Sequence, residues 1–269
     1  MRRSLLVVCT LVASVLGANA GGFDVKGAEI AKGETEIGFN SAFFSGFPVN
    51  ADPLRATGEI AIGYGFSEWW KAGLKLSFDK PVGGDLETVT VGAEGQFLLR
   101  KMQGRGPAIA MFAGIDVAIQ DDQTNTLTLG PVWSWALDDK TALNLNTFFT
   151  RTLGRNSTDA TDFSYAWQVK HEVRGGVGLG VEGYGVLPDI GHTPGLDFQE
   201  HRIGPVIYFE RSLNGPNGNG GAMKIGAKGT NGNGKDENGP KLAIEAGLLF
   251  GLTDATQDHV YKLKGALTF

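Results

Sequence analysis

Charged residues stand at alternate positions inside stretches that are otherwise oily: Glu36, Glu59, Lys71, Lys75, Glu94, Asp116, Lys170, Glu182, Arg202, Glu245, Lys262 and Lys264. Acids and bases in comparable number on one face of their segments can line a watery passage for a small solute. The same set can instead pair across neighbouring strands and fill a closed interior. Either way these faces point away from lipid, where Lys or Arg near the midplane costs about 2–4 kcal/mol.

Other chemistry has less to stand on. His171, His192, His201 and His259 are scattered, with no serine in a local motif beside them and no spaced cluster of metal ligands. A hydrolase is therefore a reading without a motif, and no metal or cofactor is expected. Gly178-Leu179-Gly180-Val181-Glu182-Gly183 spells a dinucleotide fingerprint. The spelling fails in context, because the glycines alternate along a strand and no helix follows. Asp121-Asp122 and Asp236-Glu237 read as solvated loop acids, and Asn156-Ser157-Thr158 as a polar loop.

The elements that position the charges have a period of two. Ile37, Phe39 and Phe43 alternate with polar or small residues, as do Ile60, Ile62 and Tyr64, and about ten further segments follow the same rule as far as Phe269. Strand side chains alternate between faces, so each segment has an oily and a wet side. About twelve such segments of membrane-spanning length predict an all-β fold, a closed antiparallel transmembrane β-barrel of about 12 strands. Tight turns at Ser67-Glu68, Gln103-Gly104-Arg105, Asp138-Asp139-Lys140 and Arg174-Gly175-Gly176 alternate with longer stretches at 45–53, 79–85, 152–162 and 188–197. Short periplasmic turns and longer outer loops produce that alternation. A Gly/Asn-rich insertion at about 210–240 falls where a short turn is due. Aromatic residues collect near both ends of the strands, as two interfacial girdles require. The inward sets carry glycines from Gly38 to Gly247, either to relieve strain in a curved wall or to leave lumen space.

The compartment is read from the N-terminus. Arg2 and Arg3 precede a mostly apolar run from Leu5 to Leu16, and Ala18-Asn19-Ala20 follows. This is a signal-peptide pattern with cleavage expected after Ala20, leaving 21–269 as the barrel domain and 1–20 as a removed leader. The run is too short to span a bilayer as a helix. The only cysteine, Cys9, leaves with the leader, so no disulfide is expected. With 24 basic and 29 acidic residues the chain is acidic, which argues against nucleic acid as a partner.

The last strand, Tyr261-Lys262-Leu263-Lys264-Gly265-Ala266-Leu267-Thr268-Phe269, alternates and ends on Phe. It resembles the C-terminal signature of bacterial outer-membrane barrels, with Tyr261, Leu263, Leu267 and Phe269 as the residues read by the barrel assembly machinery. Gly63-Tyr64-Gly65-Phe66-Ser67-Glu68-Trp69-Trp70 and Glu245-Ala246-Gly247-Leu248-Leu249-Phe250-Gly251-Leu252-Thr253 look like segments of uncharacterised, transporter-like barrels grouped with phenol-degradation-pathway outer-membrane proteins. The resemblance implies a bacterial outer-membrane location, the lipid bilayer and the assembly machinery as partners, and passage of a small-molecule solute. It allows a small aromatic or hydrophobic solute without selecting one. The expected function is a passive channel or transporter for small solutes, the alternative a structural or docking barrel with a blocked lumen. In a closed barrel Glu34 and Glu36 should lie near Lys262 and Lys264 at the seam between first and last strands, where opposite charges help fix register, with Lys264 nearer Glu36 or Asn40 than Lys262 is.

If the terminal signature is read as expected, deleting Phe269 should leave unfolded protein in the periplasm and abolish heat-modifiable migration on gels. Normal insertion of the shortened chain would contradict it.

Overall fold

In the computed structural model, which describes residues 23–46, 54–104, 106–120, 123–213 and 239–269, the alternating segments become strands that pair with their sequence neighbours and then close. They are β1 (Thr35–Ser45), β2 (Leu54–Gly65), β3 (Trp70–Pro81), β4 (Glu87–Arg100), β5 (Ala108–Ala118), β6 (Asn125–Ala136), β7 (Thr141–Leu153), β8 (Thr161–Arg174), β9 (Val177–Leu187), β10 (Glu200–Ser212), β11 (Lys241–Gly251) and β12 (His259–Thr268). Every neighbouring pair is antiparallel and β1 pairs with β12, so the described strands form one closed barrel without a free edge. Closure is what a lipid environment demands, since hydrocarbon cannot satisfy an edge strand's backbone groups. At 10 to 14 residues the strands have the length that a tilted crossing requires.

Turn chemistry sets which end is which. Between β8 and β9 only Gly175 and Gly176 intervene, with φ of 55° and 82°. A two-residue hairpin needs positive φ at both positions, and only glycine takes that without strain. In the β2–β3 turn, Ser67 Oγ accepts the Trp69 and Trp70 backbone N–H groups at 3.1 Å each. The β6–β7 turn is held by Asp138, whose carboxylate accepts the Lys140 N–H and the Thr141 hydroxyl. These turns, the start of β1 and the end of β12 share one rim, called the turn end below; the longer connections share the other, the loop end. The insertion expected at about 210–240 begins later than that, because β10 runs to Ser212. Its base is closed by Leu213 N–H bonding Pro240 O at 2.7 Å, and residues 214–238 lie outside the described residues, as do Asp121, Asp122 and the expected leader.

The outer face is apolar. Ile37, Phe39, Phe43, Ile60, Ile62, Leu74, Val91, Ile115, Leu179 and Ile207 are all exposed there. At the turn end the rings of Tyr64, Phe66, Trp70 and Phe97 touch in series, at centroid distances of 5.0, 4.3 and 5.9 Å. Phe149 and Phe163 meet at 5.4 Å near the loop end. On β9, Gly183 and Gly185 lie beneath the rings of Trp167 and Tyr165, and a Cβ at either would stand 2.4 Å from the ring above it. The inward glycines divide between the two roles expected of them. At Gly130, Gly180 and Gly204 a Cβ would strike a carbonyl of a neighbouring strand at 1.9–2.1 Å, so only glycine allows the strands to approach so closely there. At Gly63 the nearest atom is 3.8 Å away, and the missing side chain leaves lumen space.

The seam register is Glu36↔Thr268, Gly38↔Ala266, Asn40↔Lys264 and Ala42↔Lys262. The expected placement of Lys264 beside Glu36 or Asn40 is met at Asn40, while the charge pairing across the seam is corrected. Glu36 stands opposite a threonine, and Lys262 and Lys264 reach instead to Glu182, Glu245 and Asp24. Those partners offer stronger desolvated contacts than acids at the watery mouth. The seam is held by backbone pairing out to the last residue, where Thr35 and Phe269 exchange both N–H···O bonds at 2.8 and 2.9 Å. Since that pair is hydrogen-bonded, Gly38 and Ala266, three residues along, form a non-hydrogen-bonded pair with close Cβ positions. Cysteines introduced at Gly38 and Ala266 should cross-link without reductant in the inserted protein, whereas the pair at Gly38 and Lys264 should not. Gel mobility with and without reductant reads the difference, and the reverse pattern would show that this register is wrong.

Candidate functional site: the lumen and its N-terminal segment

The inward faces do not enclose an empty bore. Residues 23–32 rise from the turn end, where Gly33 N–H bonds Gly65 O, and run extended up the interior. Ten extended residues reach at most about 35 Å, enough to traverse an apolar band of about 25 Å. An extended chain in a closed interior must have its backbone groups satisfied, and here side chains of the wall satisfy them. Asn146, fully buried, accepts the Lys26 N–H at 2.7 Å and donates to the Lys26 carbonyl at 2.8 Å. Gln96 donates to the carbonyls of Gly27 and Ala28 at 2.9 and 3.2 Å, and Ser134 accepts the Ala28 N–H at 2.9 Å. These amide side chains replace a partner strand. Each such bond contributes a net of about 1 kcal/mol, and leaving its buried group unmet would cost more.

Apolar side chains anchor the segment at three levels. Phe23 meets the rings of Phe44 and Tyr184 edge-on, at 6.1 and 5.0 Å, with the Arg202 guanidinium 5.4 Å from its own ring. Val25 packs among Ala42, Phe44, Ala166, Tyr184, Leu249 and Val260. Ala28 packs among Leu98, Ala108, Ala110, Phe112, Val132 and Phe148, with Ile30 beside them. The sequence reading took the inward sets as polar or small; Phe44, Leu98, Phe112, Phe148, Leu249 and Val260 correct it. These residues face inward because the segment covers them.

Charges then link wall and segment in a belt of alternating sign. Glu182 and Lys262, both wholly buried, meet at 2.6 Å; Lys262 also reaches Glu245 at 3.4 Å, and Glu245 reaches Lys264 at 3.8 Å. From Lys264 the belt crosses to the segment through Asp24 at 2.6 Å, passes to Lys26 at 3.5 Å and returns to the wall at Glu94, 3.1 Å away. Nearby, Lys75 bridges Glu59 at 3.3 Å and Asp116 at 3.1 Å. Glu182 is the heaviest node. It accepts from Gln168 at 2.8 Å, Tyr184 at 2.5 Å, Tyr208 at 2.8 Å and Lys262. Through Gln168, Asn144 and Ser134 it also connects back to the segment at Ala28.

What space remains lies beside the segment toward the turn end. One cavity, of about 180 Å³, is bounded by the segment, Glu36, Gly38, Ala61, Gly63, Lys71 and Gly73. A second, of about 290 Å³, is bounded by Glu36, Lys170, Glu210, Lys241, Glu245 and Lys264. They share Glu34, Glu36 and Lys264.

The twelve charged residues singled out from the sequence thus fall into two groups. Glu59, Lys75, Glu94, Asp116, Glu182, Arg202, Glu245, Lys262 and Lys264 are drawn into ion pairs, Arg202 with Glu200 at 2.6 Å and hydrogen-bonded to Gln257. Glu36, Lys71 and Lys170 face the cavities, with Lys170 Nζ 4.8 Å from the Tyr208 ring. Sequence reasoning missed Asp24 and Lys26, and with them Asn146, Gln96 and Ser134. The histidines stay apart: His171 bonds Thr141, His192 bonds Asp189, His201 bonds Tyr165 and Gln199, and His259 lies against Phe250. Among the described residues no three His, Cys, Asp or Glu side chains are grouped to hold a metal ion.

No family model matches the chain, and no curated protein does. Solved structures do. An outer-membrane channel from Pseudomonas putida F1 superposes with a TM-score of 0.58 at 11% identity, over 92% of this chain and 100% of that one. The porin KdgM, in complex with disordered oligogalacturonate, gives 0.53 at 8% identity over 87% and 99%. The porin NanC gives 0.52 at 8% over 87% and 98%. At such identities the likeness is one of fold: this chain shares with those structures a closed antiparallel barrel, here of twelve strands.

Proposed function

We propose that the protein is a passive outer-membrane conduit for small solutes, narrowed by its own N-terminal segment, with the turn end in the periplasm. The observation that carries this is the pair of contiguous cavities beside the segment. They are lined by acids and bases of the wall and widened where Gly38 and Gly63 replace side chains. Glu36, Lys71 and Lys170 are the residues a passing solute would meet, while the ion-paired remainder shapes the passage. Non-enzymatic passage accords with the channels and porins that share the fold. The solute class implied by the family resemblance, small and aromatic or hydrophobic, is compatible with the apolar surfaces under the segment, and no group in the lumen selects it. A leader cleaved after Ala20 and insertion guided by the C-terminal signature complete the proposal.

A second reading has its own observation. Val25 and Ala28 are buried in the wall's apolar clusters and Phe23 is wedged among Phe44, Tyr184 and Arg202, which suits a structural or docking barrel with a blocked lumen. Planar-bilayer recording separates the two. The wild type should give a small, steady conductance, and Asp24→Asn with Lys26→Met, which removes the segment's ion pairs, should raise it several-fold. Silence from both proteins, correctly inserted, would leave the blocked barrel.

A further inference from the structure

We infer that the lumen wall is a peptide-binding groove, whose resident ligand is residues 23–30 and which will accept a free peptide of the same pattern in trans. The wall reads this stretch as a receptor reads an extended peptide. Main-chain recognition comes from three side chains that belong to three different strands, Gln96 on β4, Ser134 on β6 and Asn146 on β7, each aimed at a backbone N–H or carbonyl. Gln96 and Asn146 are fully buried and Ser134 nearly so. Asn146 makes both bonds that a paired strand would make. Such contacts are blind to side-chain identity and give affinity to any extended segment, which is the logic of strand addition at a sheet edge.

Side-chain recognition is separate and ordered along the segment. An aromatic position is framed by Phe44, Tyr184 and Arg202, and an acid position is met by Lys264. An apolar position lies among Ala42, Leu249 and Val260, and a basic position is met by Glu94 with its ammonium 5.0 Å from the Phe112 ring. A small residue follows at Ala28, where the surrounding cluster leaves no exposure. The ligand class is thus an extended peptide reading aromatic, acid, apolar, base, any residue, small, since a Cβ at Gly27 would meet nothing nearer than Ser134 Oγ at 3.9 Å. The contacts are non-covalent throughout, and the covalent tie to the barrel is confined to the exposed stretch from Ala31 to Gly33. A tether of that kind raises the local concentration of its ligand to the millimolar range without adding contacts. Cutting it should therefore weaken occupancy and leave the groove intact.

The test uses the full chain with a protease recognition sequence inserted between Lys32 and Gly33, folded, and then cut. A fluorescein-labelled peptide of residues 23–32 is titrated into cut and uncut protein in detergent, and binding is followed by polarisation. The cut protein should bind the peptide saturably, and the uncut protein, whose groove is filled, should not. A peptide with the charges exchanged (Asp24→Lys and Lys26→Asp) should bind at least about tenfold more weakly, since it sets like charges against Lys264 and Glu94. Should the inserted site resist the protease, the uncut double variant Asp24→Asn and Lys26→Met, whose resident ligand is weakened, is titrated with the same wild-type peptide and should bind it. Absence of binding to the opened protein would overturn the inference, as would equal binding of the charge-exchanged peptide. The readout is independent of conductance, so a groove that binds peptide in a barrel that passes nothing would separate this inference from the channel reading.

Discussion

Every backbone amide held between two apolar surroundings must find its partner within the protein, and the architecture of this chain follows from meeting that requirement twice. The wall meets it by closing, β1 onto β12, with the final pair at Thr35 and Phe269. The segment inside the wall meets it without a partner strand. Asn146, Gln96 and Ser134 supply donors and acceptors from positions where a water-filled pore would carry solvated side chains. Because the main chain from Lys26 to Ala28 is met by these side chains, the segment's apolar side chains can be buried beside it against Phe112, Phe148 and Leu249.

The charged interior follows from the same economy of space. Ions removed from water must be compensated nearby, and breaking one member out of a buried pair costs far more than an exposed pair gains. Glu182 and Lys262 would be costly apart; together, and with two tyrosines and Gln168 donating, they brace β8, β9, β10 and β12 across the interior. The belt depends on the segment at one point only. Between Lys264 and Glu94 the alternation of sign is carried by Asp24 and Lys26, so the wall is electrostatically complete only with the segment in place.

The wall was legible in the sequence because its signals are local. Alternation at Ile37, Phe39 and Phe43 needs no distant partner to be read, nor does Gly175-Gly176 as a hairpin. The contents of the wall were illegible because their signals are long-range. Asp24 pairs with Lys264 and Lys26 hydrogen-bonds Asn146, separations that no periodicity encodes, and an extended segment of mixed character before the first strand reads as an ordinary tail. A hint was present. Phe43-Phe44, Met111-Phe112, Phe148-Phe149 and Leu248-Leu249-Phe250 interrupt alternation with consecutive apolar residues, the pattern of strands covered on both faces. At the seam, strand direction limited Lys264 to the neighbourhood of Glu36 or Asn40, and backbone register places it opposite Asn40.

The bond between Leu213 and Pro240 draws the two ends of the β10–β11 connection together at the rim. Once a connection is pinched at its base, the entropy of closing it rises only with the logarithm of its length, about 0.6 kcal/mol for each doubling. Below the pinch, Ser212 already stands opposite Lys241 in the ladder, so the register of β10 against β11 is anchored at the rim and does not have to be transmitted through the length of chain that joins them.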